Sequence, residues 1–404
     1  MKRKTKKWIR FRHKVVTEIA RLIMIPYIKL RFGITIEKFK EQNGRQYLVL
    51  LNHQTVFDQF FVGLAFKGPL YYLATEDIFS NGFVSTLIKY LVAPIPIKKQ
   101  TTDVTAVKNC MRVAKEGGTI VLAPEGNRTY SGKTVYMNPA ISALAKRLGL
   151  PVALFRIEGG YGIQPRWSDV IRKGKMRAYI SEVIEPDEVK ALSNDELYER
   201  IKTGLFVDEA CLDNKFYHKK NAEYLERAIY VCHKCGLSTF ESKNDIISCK
   251  KCGMQVRYTP TKELKGIGFD FPFNFVADWY EYQCDFINNL DVNKYIASPL
   301  YTDTARLSKV IVYKKKICLR PAANLSLYGD KIVIDEMADN RMILPFDKIS
   351  SVAVLGRNKL NIYFEDMLYQ IKGDKRFNAL KYVNIYHRHK NILGGGKDDK
   401  FLGL

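Results

Sequence analysis

The sequence predicts an α/β sheet flanked by helices, followed by a cysteine-knuckle module and a smaller β-rich domain. Three observations predict it. Short apolar runs alternate with helix-like patterns from Gln46 to about Ile180, two Cys-x2-Cys-Gly pairs follow between Cys232 and Gly253, and period-two alternation takes over beyond about Leu307. A chain of 404 residues is also too long for one small core, so two or three domains are expected.

The first 40 residues are set apart by charge. Residues 1–31 hold eleven Lys or Arg against one acid, Glu18, which accounts for ten of the formal +23. Trp8, Phe11, Val15, Ile19 and Leu22 recur at helical spacing between the basic residues. A basic helix with an aromatic-rich apolar face suits a bilayer interface, the plain alternative being a solvated helix packed on the following domain. No run of about 18 apolar residues occurs, and Arg21 and Pro26 interrupt Ile19 to Ile28, so the expectation is a helix lying on a membrane. No apolar core followed by a small-residue cleavage site reads as a secretory signal, which points to the cytoplasmic face of the cell membrane and peripheral or monotopic attachment.

Residues 41–205 carry the α/β pattern. Strands are predicted at Tyr47 to Leu51, Tyr71 to Ala74, Val92 to Ile97, Thr119 to Ala123, Val152 to Ile157 and Met176 to Ile180. Helices are predicted at Phe60 to Phe66, Gly82 to Leu91, Val104 to Lys115 and Pro139 to Leu148, the last stopped by Gly149 and Pro151. Residues 206–231 read as a polar helical connector and 232–258 as the cysteine module. Residues 259–393 read as a β-rich domain with turns at Gly329, Gly356 and Gly373, closed by a helix from Arg376 to His387. Several strands closed by a C-terminal helix resemble a pleckstrin-homology-like module. The tail, 394–404, opens on three glycines and reads as flexible.

The chemistry concentrates at two predicted strand ends. Tyr47 to Leu51 runs into Asn52-His53-Gln54-Thr55-Val56-Phe57-Asp58, and ligand sites in α/β sheets favour such junctions. On a continuous helix His53 and Asp58 would lie about 140° apart, so contact requires a turn between them, with Asn52 or Thr55 capping the helix that follows. With Asp58 accepting the Nδ1 hydrogen, His53 would present Nε2 as a base. Imidazoles titrate near neutral pH, which suits proton abstraction. The second end is Thr119 to Ala123, followed by Pro124-Glu125-Gly126-Asn127-Arg128-Thr129. Gly126 would admit a ligand close to the backbone, and Arg128 offers a planar fork for phosphate or carboxylate; pairing of Glu125 with Arg128 is the plain structural alternative.

These two blocks resemble the glycerophospholipid acyltransferases typified by 1-acylglycerol-3-phosphate acyltransferase (PlsC-like). Asn-His-x4-Asp is Asn52 to Asp58 and Pro-Glu-Gly-x-Arg is Pro124 to Arg128, in the family's order and spacing, and the likeness covers roughly residues 10–205. The resemblance implies an acyltransferase-type sheet and transfer of an acyl group from a CoA or acyl carrier protein thioester to a hydroxyl of a lysophospholipid. His53 and Asp58 would be the catalytic pair; Glu125, Gly126, Asn127, Arg128 and Thr129 would line the acceptor site. Lys98 and Lys99 stand where the family has basic residues that help hold the acceptor, with lysine in place of the usual arginine. The later apolar strand, Pro151 to Arg156, lacks the family's second proline. A thiolate leaves readily, so no enzyme nucleophile is needed, and no Gly-x-Ser-x-Gly elbow is present.

Cys232, Cys235, Cys249 and Cys252 form two Cys-x2-Cys-Gly knuckles with thirteen residues between them, a zinc-ribbon pattern for one structural Zn2+; disulfides are the alternative and a reducing compartment disfavours them. His233 reads as a bystander, and Cys110, Cys211, Cys284 and Cys318 as ordinary small side chains. The charge implies an acidic partner. An anionic membrane surface, the lysophospholipid acceptor and the acyl donor are the expected partners, with a protein partner through the C-terminal modules. Two rivals remain: a zinc-ribbon nucleic-acid-binding protein, which leaves both polar blocks unexplained, and a membrane-surface binding protein without catalysis.

Overall fold

In the computed structural model, residues 7–97, 103–134, 136–210, 213–311, 314–394 and 400–403 are described. The chain divides into two compact units, residues 1–165 with 171–216, and 166–170 with 217–404.

The first unit is built on Leu48-Val49-Leu50-Leu51, four buried residues whose side chains alternate between the two faces of a sheet. Its elements are α1 (Phe11–Phe32), β1 (Ile34–Ile36), β2 (Leu48–Leu51), α2 (Asp58–Ala65), β3 (Leu70–Thr75), α3 (Phe83–Leu91), β4 (Ile95–Ile97) and α4 (Val104–Lys115). They continue with β5 (Thr119–Leu122), α5 (Ala140–Leu148), β6 (Val152–Glu158), α6 (Gly160–Ile163), β7 (Met176–Ile184), α7 (Pro186–Ala191) and α8 (Asn194–Leu205). The seven strands lie in the order β1-β7-β6-β2-β5-β3-β4. All neighbours are parallel except β6 and β7. Val49 and Leu51 face a core with Ile28 and Phe32 of α1 and Phe61 and Val62 of α2. Leu48 and Leu50 face the other core, with Val113 of α4, Ile141 of α5 and Leu197, Ile201 and Leu205 of α8.

The second unit begins with the cysteine module: a hairpin of β8 (Val231–Cys232) and β9 (Gly236–Leu237), then β10 (Phe240–Lys243), β11 (Ile246–Cys249), β12 (Gln255–Tyr258) and β13 (Leu264–Gly266) in one antiparallel sheet. Helix α9 (Val276–Asn288) packs on it through the buried Trp279, whose Nε1 donates to Val231 O at 2.9 Å. There follow β14 (Tyr301–Ile311), β15 (Lys315–Leu327), β16 (Lys331–Ile334), β17 (Met342–Pro345), β18 (Ile349–Leu355), β19 (Lys359–Phe364), β20 (Met367–Gly373) and α10 (Leu380–Gly394). These seven strands form one antiparallel sheet in the order β17-β16-β15-β14-β20-β19-β18.

Several expectations change. Residues 206–231 hold no α-helix among the described residues, only a 3-10 turn at Leu225–Arg227, where the left-handed backbone of Tyr224 (φ +74°) interrupts any longer helix. Gly373 is not a turn but the end of β20, where Phe377 packs so closely that no side chain fits. The tail expected to be flexible is docked at 400–403: Leu402 is buried and its carbonyl accepts Asn384 Nδ2 at 2.6 Å. The fourth ribbon strand, β13, lies beyond the expected limit at residue 258.

Candidate active site and cysteine centre

Strand order places the two polar blocks together. β2 runs parallel to β5 with Leu50 opposite Leu122, and parallel to β6 with Leu51 opposite Phe155. The Asn52–Asp58 turn, the Pro124–Thr129 loop and the Glu158–Gly159 exit therefore leave the same end of three adjacent strands, at the carboxyl edge where such sheets bind ligands. Asn52 joins two of them. Its buried Nδ2 donates to Ile157 O at 2.8 Å and its Oδ1 accepts Ile157 N at 2.7 Å, so it holds the end of β2 to β6 instead of capping α2.

His53 and Asp58 meet. Nδ1 of His53 lies 2.8 Å from Oδ2 of Asp58, and the turn between them supplies the approach that a continuous helix denies. Asp58 is fully buried at the first position of α2. Its Oδ2 also accepts Gln54 N at 2.7 Å, while Oδ1 accepts Thr55 N at 2.9 Å and Thr55 Oγ1 at 2.7 Å. These donors hold a buried carboxylate in one rotamer, satisfied on both oxygens. The His53 side chain is 31% exposed, so the imidazole reaches solvent from a fixed base. Nδ1 is committed to Asp58, which leaves Nε2 as the nitrogen able to take a proton.

Glu125 comes from the second block, 72 residues on in the chain, and binds the first: its Oε1 accepts the backbone amide of His53 at 3.0 Å. It does so while buried, and burial pushes its carboxyl up to about 8. The bond from His53 works against that rise and the nearby Asp58 carboxylate adds to it. Gly126 is exposed with a φ of +68° and open space where a Cβ would stand, as a backbone meant to be approached requires. Asn127 is half-buried and Arg128 buried in the same loop. Thr129 points its hydroxyl inward, accepting Ser131 N at 3.2 Å and Gly132 N at 3.0 Å, and so shapes the loop from within. Lys98 and Lys99 lie outside the described residues.

One buried acid has no signal in the sequence. Glu209 is wholly buried; its Oε1 accepts Gly159 N at 2.7 Å and its own amide donates to Gly132 O at 3.1 Å, tying the Arg128 loop to the β6 exit. These two bonds are made to backbone groups of glycines, which leave no complementary side chain to read. The pattern of acids around residue 209 is that of any polar connector.

The four cysteines of the knuckles converge. All four sulfurs lie within 4.8 Å of one another, with Cys232 to Cys252 at 3.8 Å and Cys235 to Cys249 at 3.7 Å. A tetrahedral ion at a Zn–S distance of about 2.3 Å separates its sulfurs by about 3.8 Å, so this donor set fits Zn2+. Gly236 and Gly253 both have left-handed backbones, φ +68° and +71°, as the turn under each knuckle demands. His233 is outside this group and instead faces Phe269, Phe271 and Phe273. Cys110 is packed in the core of the first unit.

Comparison with known proteins agrees with the first unit. Residues 33–157 match the family model described as Acyltransferase. A chloroplastic 1-acyl-sn-glycerol-3-phosphate acyltransferase of Arabidopsis thaliana is 22% identical over 194 residues, covering 46% of this chain and 52% of the relative. A 1-acyl-sn-glycerol-3-phosphate acyltransferase of Bacillus subtilis is 20% identical over 192 residues, covering 46% of this chain and 92% of the relative. The crystal structure of the 1-acyl-sn-glycerophosphate acyltransferase PlsC from Thermotoga maritima aligns with 22% identity and a TM-score of 0.38, covering 48% of this chain and 76% of that one. The chain spans about half the length of the plant relative and nearly all of the bacterial one.

Proposed function

From an acyltransferase domain of the glycerophospholipid acyltransferase family at residues 33–157, we propose that the protein acylates a free hydroxyl of a lysophospholipid, 1-acylglycerol-3-phosphate first among them. The donor is a thioester of CoA or acyl carrier protein. The observation that carries this reading is the His53–Asp58 contact at 2.8 Å beside the Glu125 loop.

In this reaction the acceptor hydroxyl gives its proton to His53 Nε2 as its oxygen attacks the thioester carbonyl. The imidazolium that forms is stabilised by the buried Asp58 carboxylate. The tetrahedral intermediate then breaks its C–S bond, and the departing thiolate takes the proton back from His53. Atoms balance with an ester and a free thiol as products, and no covalent enzyme intermediate is required. Arg128, with Lys98 and Lys99, would receive the acceptor phosphate through charge-assisted hydrogen bonds. Asn52, Glu125 and Glu209 would act on the backbone that carries these groups and not on substrate.

The second unit serves this reaction from outside it. The four cysteines would hold one structural Zn2+ that fixes the ribbon. The seven-stranded antiparallel sheet with its C-terminal helix supports a pleckstrin-homology-like reading, a module suited to recruiting a partner. Helix α1, basic with an exposed apolar seam, would rest on an anionic bilayer; no helix among the described residues is long and apolar enough to cross a membrane.

The test is a lipid product analysis. Wild-type protein and His53→Ala are incubated with a panel of lysophospholipids and with acyl-CoA or acyl-acyl carrier protein. New diacyl product from the wild type alone supports the assignment and names the acceptor. Equal product from both proteins refutes His53 as the base.

A further inference from the structure

Two helices of the first unit turn apolar side chains to solvent, and only one of them was legible as a membrane element. Along α1 the outward seam is Phe11, Val15, Ile19, Leu22, Ile23 and Leu30, with Phe11 81%, Leu22 75% and Leu30 89% exposed. The inward seam is a different one: His13 is buried beside Tyr71, Arg21 donates to the carbonyls of Gly63 and Gly68, and Ile28 and Phe32 enter the core. The outward seam is thus surplus to the fold.

Helix α3 repeats this arrangement. Phe83 (80% exposed), Val84, Leu87 and Tyr90 stand out at spacings of three and four, while Ser85 on the opposite side is buried and bonded to Ile78 O at 2.6 Å. The two helices touch. Arg12 Nε donates to Tyr90 O at 2.7 Å with its guanidinium 3.9 Å above the Tyr90 ring, and Trp8 Nε1 donates to Ala93 O at 2.9 Å. The start of α1 is therefore fastened to the end of α3.

We infer that α3 is a second membrane-inserting element, which together with α1 forms one apolar platform seated in an anionic bilayer. The inference rests on the reading of the protein as a lipid acyltransferase. The charge pattern selects the occupant. Exposed Arg10, Lys14, Lys29, Arg31 and Lys89 border the two apolar seams, α3 has no acid at all, and the one acid of α1, Glu18, is bound to Arg21. Apolar and aromatic side chains bordered by cations match the acyl boundary beneath anionic headgroups, whereas a second copy of this chain would bring the same cations against themselves. Placement gives the contact a purpose. α3 leads directly into β4, the strand beside β3 in the sheet, so a seat for α3 in the acyl boundary sets one edge of the sheet against the membrane surface.

The experiment uses the full-length protein and the double variant Phe83→Ser with Leu87→Ser, both exposed positions. Binding to vesicles of phosphatidylcholine with about one-third phosphatidylglycerol is measured by sedimentation, alongside acyl transfer to vesicle-borne 1-acylglycerol-3-phosphate and to a short-chain acceptor below its micelle threshold. The expected result is a loss of vesicle affinity of about tenfold or more, since two buried apolar side chains are removed, with a matching loss of transfer to the vesicle-borne acceptor and none to the soluble one. Wild-type vesicle affinity in the variant overturns the inference, as does loss of self-association by the variant with vesicle binding intact. If the wild type transfers to neither acceptor, the acyltransferase reading fails, while the vesicle comparison still decides the role of α3.

Discussion

Replacing Asp58 with Asn tests the hydrogen-bond geometry most directly. The carboxylate accepts on both oxygens: His53 Nδ1 and Gln54 N on Oδ2, and Thr55 N and Thr55 Oγ1 on Oδ1. A carboxamide keeps one oxygen and turns the other position into a donor. If the amide nitrogen takes the Oδ2 position it faces the Gln54 amide and donates to Nδ1, which moves the imidazole proton to Nε2, the nitrogen that must act as base. If it takes the Oδ1 position it faces the Thr55 amide, and the imidazolium still loses its negative partner. In the first case the Gln54 N–H is stranded, at a cost of about 1–3 kcal/mol, while in the second Thr55 N keeps its 3.0 Å bond to Oδ2; in both a charge-assisted bond is gone. The rate should suffer far more than stability, by a factor on the order of 10³–10⁴, the scale at which a mis-set tautomer acts in comparable His–Asp pairs. The assay is thiol release from acyl-CoA with a lysophospholipid acceptor, paired with thermal unfolding of the same samples. Retention of more than about a tenth of the wild-type rate refutes the reasoning, and so does a double variant with His53→Ala whose losses multiply, because a pair acting as one unit is not additive.

Four further outcomes follow from the same contacts. Glu125 is neutral in the fold up to about pH 8 and ionises from about 4.5 when unfolded, so the stability its neutral form contributes is whole at low pH and lost as pH rises through that window. Glu125→Gln does not titrate, and its melting temperature should therefore gain on the wild type between pH 5 and pH 9; a constant difference would count against the buried neutral acid. Asn52→Ala strands both Ile157 N and Ile157 O and should cost about 2–4 kcal/mol in chemical denaturation, a value near zero being the contrary result. Gly126→Ala meets no atom and should lose only about 1 kcal/mol to its left-handed backbone, so a rate loss well above tenfold would locate a ligand at that backbone and an unchanged rate would not. Elemental analysis should find one zinc per chain, and chelation should abolish hydrogen-exchange protection in β10–β13; protection that survives removal of the metal would make the ribbon self-sufficient.

The parts of the fold that were legible are those whose signal is local. The helix Val104–Lys115 was expected at its observed limits, and β2, β3, β5 and β6 within a residue of theirs, because helical spacing marks the first and short apolar runs bounded by polar or Gly/Pro segments mark the strands. β1 escaped because three residues pair with β7 about 140 positions away, and no local pattern announces such a partner. β15 escaped for another reason: most of Lys315 to Ala322 is exposed, so its residues show no alternation to read. In the site, His53, Asp58, Glu125 and the four cysteines were legible as types at fixed spacing. What Glu125 does was not, since a side chain bonded to a backbone amide leaves no trace in the identity of its partner. Glu209 is a further case, since its bonds to Gly159 N and Gly132 O are made to glycine backbone.

That distinction changes how variants of the two polar blocks are to be understood. Of the polar side chains in them, Asn52, Asp58, Glu125 and Thr129 are buried and bonded to the protein's own backbone, whereas the His53 imidazole reaches solvent. Loss of activity on removing Asn52, Glu125 or Thr129 thus follows from displacement of the imidazole by a fraction of an ångström and is no proof that the residue touches lipid, whereas Asp58 acts on the imidazole directly through Nδ1. Frame residues should lower the rate while leaving the apparent affinity for the acceptor nearly constant, since they bind no part of it. Arg128 should do the reverse, raising KM for a phosphate-bearing acceptor more than it lowers kcat. If Asn52→Ala and Arg128→Ala prove kinetically alike, the separation between a backbone frame and an acceptor-binding cation is wrong, and the segments after β2 and β5 act as a single support.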